Sequence, residues 1–205
     1  MSSSWARRLV QLYLGLLLYG VSMAVLVRSG LGVMPWDVLH QGLARQLGWS
    51  LGSVTVLVGA LVLLAWIPLR ERPGLGTVSN VVVIGLAVDA ALAVIPEAPS
   101  LVAGIGFMVA GVLLNAVATA AYIGVRLGPG PRDGLMTGIV RLTGWRIAPV
   151  RTGIELTALF FGWLLGGTVG LGTLVFAFAV GPLVGVFLPL FDVGPRLRKT
   201  LPVNP

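Results

Sequence analysis

The chain of 205 residues contains no cysteine, one histidine and only 7 acidic residues, and charged residues make up 10% of it. Without cysteine there are no disulfides and no thiolate metal sites, and the lone His40 leaves no histidine cluster, so neither a metal nor another cofactor is expected. So little charge excludes an ordinary water-facing surface, because soluble domains carry roughly a quarter of their residues as Asp, Glu, Lys or Arg. No Ser-His-Asp set and no carboxylate pair placed for acid-base work stands out beyond two repeat-related aspartates, and no catalytic activity is expected. The net charge is +7, but the basic residues are scattered at the ends of apolar segments without interleaved aromatics. That pattern fits membrane topology and excludes nucleic acid as a partner.

What the chain has instead is oil: 57% hydrophobic residues and a mean hydropathy of +0.98. Apolar stretches of roughly 20 residues, the length that crosses hydrocarbon as a helix, recur throughout. They predict an all-α polytopic protein in a lipid bilayer with six spans: Leu9–Val27, Leu51–Leu69, Thr77–Ile95, Leu101–Val125, Val150–Gly166 and Leu171–Leu190. The first run follows Arg7-Arg8 as a secretory leader would, yet it continues to Val27 and meets Arg28 without a small-x-small cleavage site, so it is read as a span. With six spans, Arg7, Arg8, Arg70, Arg72, Arg126, Arg132, Arg141, Arg146, Arg151, Arg196, Arg198 and Lys199 fall on one side, and only Arg28 and Arg45 on the other. The positive-inside rule then places both termini in the cytoplasm. Trp5, Trp49, Trp66, Trp145 and Trp163 lie near helix ends, where interfacial anchors are expected.

One period runs through the chain without gaps. An offset of 96 residues pairs Gly32 with Gly128, Pro35 with Pro131, Asp37 with Asp133, Gly42 with Gly138, Arg45 with Arg141 and Gly48-Trp49 with Gly144-Trp145. It also superposes the tetrads GLGT at Gly74–Thr77 and Gly170–Thr173. Three spans per repeat is an odd number, so the second copy enters the membrane from the opposite face. The expected architecture is one membrane domain over residues 1–205, with inverted three-helix repeats at about 9–97 and 105–193 and short cytoplasmic tails at 1–8 and 194–205. In each tetrad the threonine, Thr77 or Thr173, can N-cap the third helix of its half.

Between the first two spans of each half lies a shorter helix-compatible segment, PWDVLHQGLARQLGW at Pro35–Trp49 and PRDGLMTGIVRLTGW at Pro131–Trp145. Proline at the first helical position with an aspartate two residues on is a good helix start, so Asp37 and Asp133 can be structural caps. Trp36, Leu39, Leu43 and Leu47 fall on one face with Asp37, Gln41, Ala44 and Arg45 opposite, so the segment can also lie flat in the interface. In the third reading both segments are re-entrant and aim their N-termini at the midplane. Gly32-Val33-Met34-Pro35 and Gly128-Pro129-Gly130-Pro131 break the helix, as is tolerated where backbone lines a cavity. Broken helices at matching positions of inverted halves point to a transporter's central site.

Ionisable residues within spans cost at least ~2.5–3.5 kcal/mol near the bilayer centre and therefore need a partner or a role. Glu155 follows Arg151 by four residues and can pair with it on one helical face. Asp89 is either a water-reached carboxylate at the outer interface or a partner for Arg28. His40 projects near Asp37 and is either a proton site or an interfacial histidine. Asn80, Asn115 and Thr119 are explained by interhelical hydrogen bonds of ~0.6 kcal/mol.

In order along the chain, GLGVMPWDVLHQGL, GLGT, GPGPRDGLMTGI, VRTGIE and GGTVGLGT resemble the YczE/YitT-type family of bacterial integral membrane proteins. The likeness covers about residues 9–193, and its most specific part is the Pro-Arg-Asp-Gly-Leu-Met segment with the downstream Arg-x-x-x-Glu. It implies a multi-pass protein of the bacterial cytoplasmic membrane and neither a substrate nor functional residues. The residues themselves support a small permease for an anionic or zwitterionic solute, with Asp37, Arg132, Asp133, Arg151 and Glu155 as the candidate binding residues. His40 and Asp89 are the further proton or ion-pair candidates. The alternative is a non-transporting module that binds lipid or a partner membrane protein, or a substrate-binding subunit of a larger transport complex. Glycine-rich helix faces are also compatible with a homodimer.

Overall fold

The computed structural model describes residues 2–193, and all eight elements among them are helices. These are α1 (Ser2–Ser29), α2 (Pro35–Leu47), α3 (Leu51–Leu69), α4 (Leu75–Val94), α5 (Leu101–Gly124), α6 (Pro131–Thr143), α7 (Ile147–Leu164) and α8 (Leu171–Phe191). The tail at 194–205, with Arg196, Arg198 and Lys199, lies outside the described residues. Five stretches are long and apolar enough to cross a membrane: Trp5–Ser29, α3, α4, α5 and α8. The sixth expected span, α7, is not among them; it is the shortest of the long helices and carries Arg151 and Glu155. At 13 residues and ~1.5 Å rise each, α2 and α6 are too short to cross.

The helices follow the 96-residue period of the sequence. Helices α2 and α6, α3 and α7, and α4 and α8 begin at positions separated by it. So do the residues with left-handed backbone, which pair as Gly30 with Arg126, Gly32 with Gly128, Gly48 with Gly144, and Arg70 with Gly166. Gly32 (φ 108°) and Gly128 (φ 124°) hold conformations that side chains rarely adopt, and both turn the chain into a short helix.

Helices α1 and α5 pack against each other at the centre, with α4 against α1 and α8 against α5. Leu12, Leu16, Met23, Leu26, Met108, Val112 and Val125 form the core of this layer. The short helices cross over: α2 packs mainly on α7, and α6 mainly on α3. Hydrogen bonds cross over in the same way. The Gly76 amide donates to Leu127 O (2.8 Å), and the Gly172 amide, 96 residues on, donates to Leu31 O (2.7 Å). Thr77 and Thr173 sit one turn inside their helices, where each hydroxyl accepts the amide of the N-cap glycine, Gly74 or Gly170 (both 3.2 Å). The threonines thus reach back to the cap and do not themselves occupy it.

Two polar ends are evident. At one, Arg8 donates to Val125 O, Gln11 to Phe191 O, Arg126 pairs with Asp192, and Arg141 reaches Leu69 O and Glu71. At the other, Arg28 pairs with Glu97, and Arg45 reaches Gly166 O and Thr168. Trp5, Trp49, Trp145 and Trp163 are exposed near these ends, but Trp66 departs from the anchor pattern. It is 1% exposed, and its indole Nε1 donates to Pro131 O (3.0 Å) while its ring covers Gly134.

Candidate functional site

Both short helices are buried at their beginnings and exposed at their ends. In α2, Pro35, Trp36, Asp37, Val38 and His40 are buried, whereas Arg45, Gln46 and Leu47 are exposed. In α6, Pro131 and Gly134 are buried, and Arg141, Leu142 and Thr143 are exposed. Asp37, on the side that a flat amphipathic helix would turn to water, is 0% exposed. Close backbone approach permits this insertion. Gly162 of α7 fits against the Val38-Leu39 backbone of α2, and Gly134 of α6 fits against the Trp66 ring of α3, leaving no room for a Cβ at either glycine.

A cavity of about 290 Å³ lies between the halves. Pro35, Trp36 and His40 line it from α2, and Pro131, Arg132, Asp133 and Met136 from α6. Two helix N-termini, each carrying a partial positive charge, thus meet one cavity. Arg151 and Glu155 line it from α7 and are paired (Nε–Oε1 3.1 Å). Tyr19, Tyr122, Asn80, Asn115, Thr119 and Thr55 add polar atoms, and Met34, Val58, Ile84, Phe176 and Val180 add apolar surface. A few polar groups in an otherwise apolar concavity is the make-up of small-molecule sites, and the volume suits a compact solute.

The charged groups are coupled. Asp37 stands just behind the lining; its Oδ1 lies 3.2 Å from His40 Nδ1 and 3.8 Å from Arg132 Nη2, and its Oδ2 is buried without a hydrogen bond. The Thr55 hydroxyl lies 3.3 Å from His40 Nδ1 and donates to Leu51 O (2.8 Å). Its one proton being used there, Nδ1 is the donor towards it, which is the Nδ1–H tautomer of the ring. The Arg132 guanidinium stacks over the Trp36 ring at 4.8 Å, an interaction that holds the cation across from Asp37. The Asp133 carboxylate accepts from the Gly130 amide at the start of its own helix and from the Tyr122 hydroxyl, and faces the charges of Arg151 and Arg132. It is thus a cap that also lines the cavity.

Asp37, His40, Arg132, Asp133, Arg151 and Glu155 are brought together here, and Asp89 is not. Asp89 accepts from Ser50 Oγ (2.6 Å) and the Gly52 amide (2.7 Å), joining α4 to the start of α3. The expected pair with Arg28 is replaced by Arg28 donating to Leu92 O (2.6 Å) and pairing with Glu97 (3.2 Å). His40 is 2% exposed, enclosed by the protein beside Asp37 and Thr55. Asn115 does make the expected interhelical bond, donating to Ser22 Oγ (3.0 Å), and still borders the cavity. Tyr19 and Tyr122, stacked edge to face with centroids 6.2 Å apart, were not singled out from sequence. Their signal is a polar-tipped aromatic well inside an apolar span, which needs a partner when buried.

This arrangement defines a membrane protein of several apolar helices with a largely apolar cavity among them that carries a few polar and charged groups. The chain belongs to the family described as a family of unknown function, DUF6198, whose model matches residues 6–189. It is 40% identical over 186 residues to an uncharacterized protein of Haemophilus influenzae, covering 91% of this chain and 85% of the relative. It is 34% identical over 175 residues to the uncharacterized membrane protein YczE of Bacillus subtilis, covering 85% of this chain and 81% of that protein. The resemblance to the YczE-type family is borne out by this relationship. No solved structure matches the chain.

Proposed function

We propose that the protein is a small secondary transporter that binds an anionic or zwitterionic solute in the cavity between its halves and passes it unaltered across a bacterial cytoplasmic membrane. In this reading α7 is the sixth span, residues 9–97 and 105–193 are inverted repeats, and both termini face the cytoplasm with the arginine-rich end. Exchange of contacts between the halves, such as Gly76 to Leu127 and Gly172 to Leu31, supports the repeat. The observation that carries the proposal is the meeting of both short-helix N-termini at one cavity with Arg132, Asp133, Arg151 and Glu155. Helix N-termini and guanidinium groups favour an anionic moiety, while the carboxylates supply a counterpart for an ammonium or a proton. The solute is small, because the cavity of about 290 Å³ lies at the lower end of the usual range for ligand sites.

The test is a thermal-shift screen of small carboxylates, amino acids and phosphorylated metabolites on the purified protein, run beside Asp133→Asn. A solute that stabilises the wild type and loses its effect in the variant supports the site. A solute that stabilises both equally removes Asp133 from it, and a screen without any stabilising solute favours the non-transporting module.

A further inference from the structure

The two halves differ where their second and third long helices meet. In the first half α3 lies along α4, and the closest point is glycine on glycine: a Cβ on Gly85 would stand 2.5 Å from Val56 Cγ2 and 2.7 Å from Gly52 O. Asp89 closes the same end by taking hydrogen bonds from Ser50 Oγ and the Gly52 amide. Leu51, Gly52, Gly85 and Val88 are all buried there. The 96-residue offset maps these four onto Ile147, Ala148, Gly181 and Val184. Here Ile147, Ala148 and Gly181 are exposed, Gly181 and Gly185 have open space around them, and α7 and α8 scarcely touch. Arg151, Glu155, Gly181 and Val184, which flank this gap, are also cavity residues. The cavity therefore opens between α7 and α8, at the end where α7 begins and α8 finishes, and is shut at the equivalent place between α3 and α4.

We propose that Asp89, Ser50 and Gly52 form the outer gate of the solute path, and that the two halves exchange conformations during transport. When α3 and α4 part, α7 and α8 close by bringing Ala148 and Gly181 together as Gly52 and Gly85 are now. This rests on the transporter reading, in which two inverted copies of one unit present the same opening to opposite faces in turn. The sequence biases the exchange. Gly185 stands at the position equivalent to Asp89, so the inner end has no hydrogen-bonded latch and closes by packing alone. The state open between α7 and α8 is accordingly the resting one, and a solute is met from the arginine-rich face by Arg151 and Glu155. Weakening the outer latch shifts the balance, since populations follow the free-energy difference between the two states.

The chain has no cysteine, so single cysteines report directly. Val58→Cys and Met136→Cys, both lining the cavity, are treated in sealed right-side-out and inside-out vesicles with a charged, membrane-impermeant thiol reagent. Labelling is expected from the arginine-rich face and not from the other. Gly85→Ala, which forces α3 from α4, and Asp89→Ala raise labelling from the opposite face about tenfold, the change that ~1.4 kcal/mol produces. Gly106→Ala, which meets open space on α5 away from the cavity lining, leaves the pattern unchanged. Wild-type labelling from both faces equally or from neither overturns the gate, as does an unchanged pattern in folded Gly85→Ala and Asp89→Ala. Should these variants fail to fold, the pair Ala148→Cys and Gly181→Cys in the otherwise unaltered chain decides. A disulfide formed in the membrane under mild oxidant upholds the closed inner state, and its absence overturns it. These readouts need no solute, so failure of the gate leaves the binding site standing, and failure of the solute screen leaves the gate standing.

Discussion

Arg132 of α6 reaches Asp37 of α2 across the boundary between the halves, with Nη2 3.8 Å from Oδ1. Asp37 is fully buried and Arg132 partly open to the cavity, so the pair is neither a surface bridge nor a sealed one. Removing the cation leaves a buried carboxylate with only His40 beside it. Arg132→Gln is expected to cost about 1–3 kcal/mol, less than for a sealed pair because Arg132 is partly solvated. Asp37→Asn in the same chain recovers part of that loss, since the orphaned charge is gone. A double-mutant cycle by unfolding in detergent checks this, with a coupling of about 0.5–3 kcal/mol expected and additivity the contrary result.

Gly134 is where α6 meets the Trp66 ring, and an added methyl there has nowhere to go. Gly134→Ala is expected to destabilise by about 1–3 kcal/mol through overpacking and to pull the α6 N-terminus from the cavity. Trp66→Phe, which vacates that space and gives up the bond to Pro131 O, should restore part of the stability of Gly134→Ala. Gly153→Ala faces open space and serves as the control, expected to be neutral or slightly stabilising as a helix-interior glycine replaced by alanine. Melting temperatures of the four variants decide it.

Asp133 holds two positions at once, and a single substitution separates them. Asparagine keeps an oxygen for the Gly130 amide and the Tyr122 hydroxyl, so Asp133→Asn should cost under about 1 kcal/mol as a cap. Alanine gives up both bonds and should cost about 0.5–2 kcal/mol. Both variants lose the charge facing Arg132 and Arg151, so solute stabilisation should fall in both alike. If solute binding follows stability and not charge, Asp133 is a cap alone.

The period that relates α2 to α6 was legible because proline, aspartate, glycine and tryptophan recur in one register, and those residue types fix helix starts and turns. Five of the six expected spans coincide with helices long and apolar enough to cross a membrane, and over α7 Arg151 and Glu155 dilute the hydropathy. What one sequence did not carry is which neighbour each face meets. The polar side of α2 reads as a water-facing stripe, yet Asp37 and His40 turn inward because α6 of the other half brings Arg132 to them. Trp66 reads as an interfacial anchor, but its place is set by a glycine 68 positions away. Asp89 reads as an interfacial carboxylate or a partner for Arg28, but folding sets it beside Ser50 and the Gly52 amide. Each of these depends on contacts between residues far apart in the chain, which local pattern does not encode.

The Arg151–Glu155 pair on α7 is the most open of the cavity's ion pairs, with side chains 55% and 37% exposed. A helical i,i+4 pair of this kind contributes only about 0.3–0.5 kcal/mol to stability, and less as salt rises. Arg151→Gln should therefore melt within a degree or two of the wild type. Its role is expected to lie in binding: the guanidinium stands at the opening between α7 and α8 and also faces Asp133, so its loss should weaken an anionic solute more than a neutral one. Titrating the solute at low and high ionic strength distinguishes the two contributions. The wild type should lose affinity as salt screens Arg151, and Arg151→Gln should start weaker and change less. Equal salt dependence in both proteins would place the attraction elsewhere, on Arg132 and the α6 N-terminus.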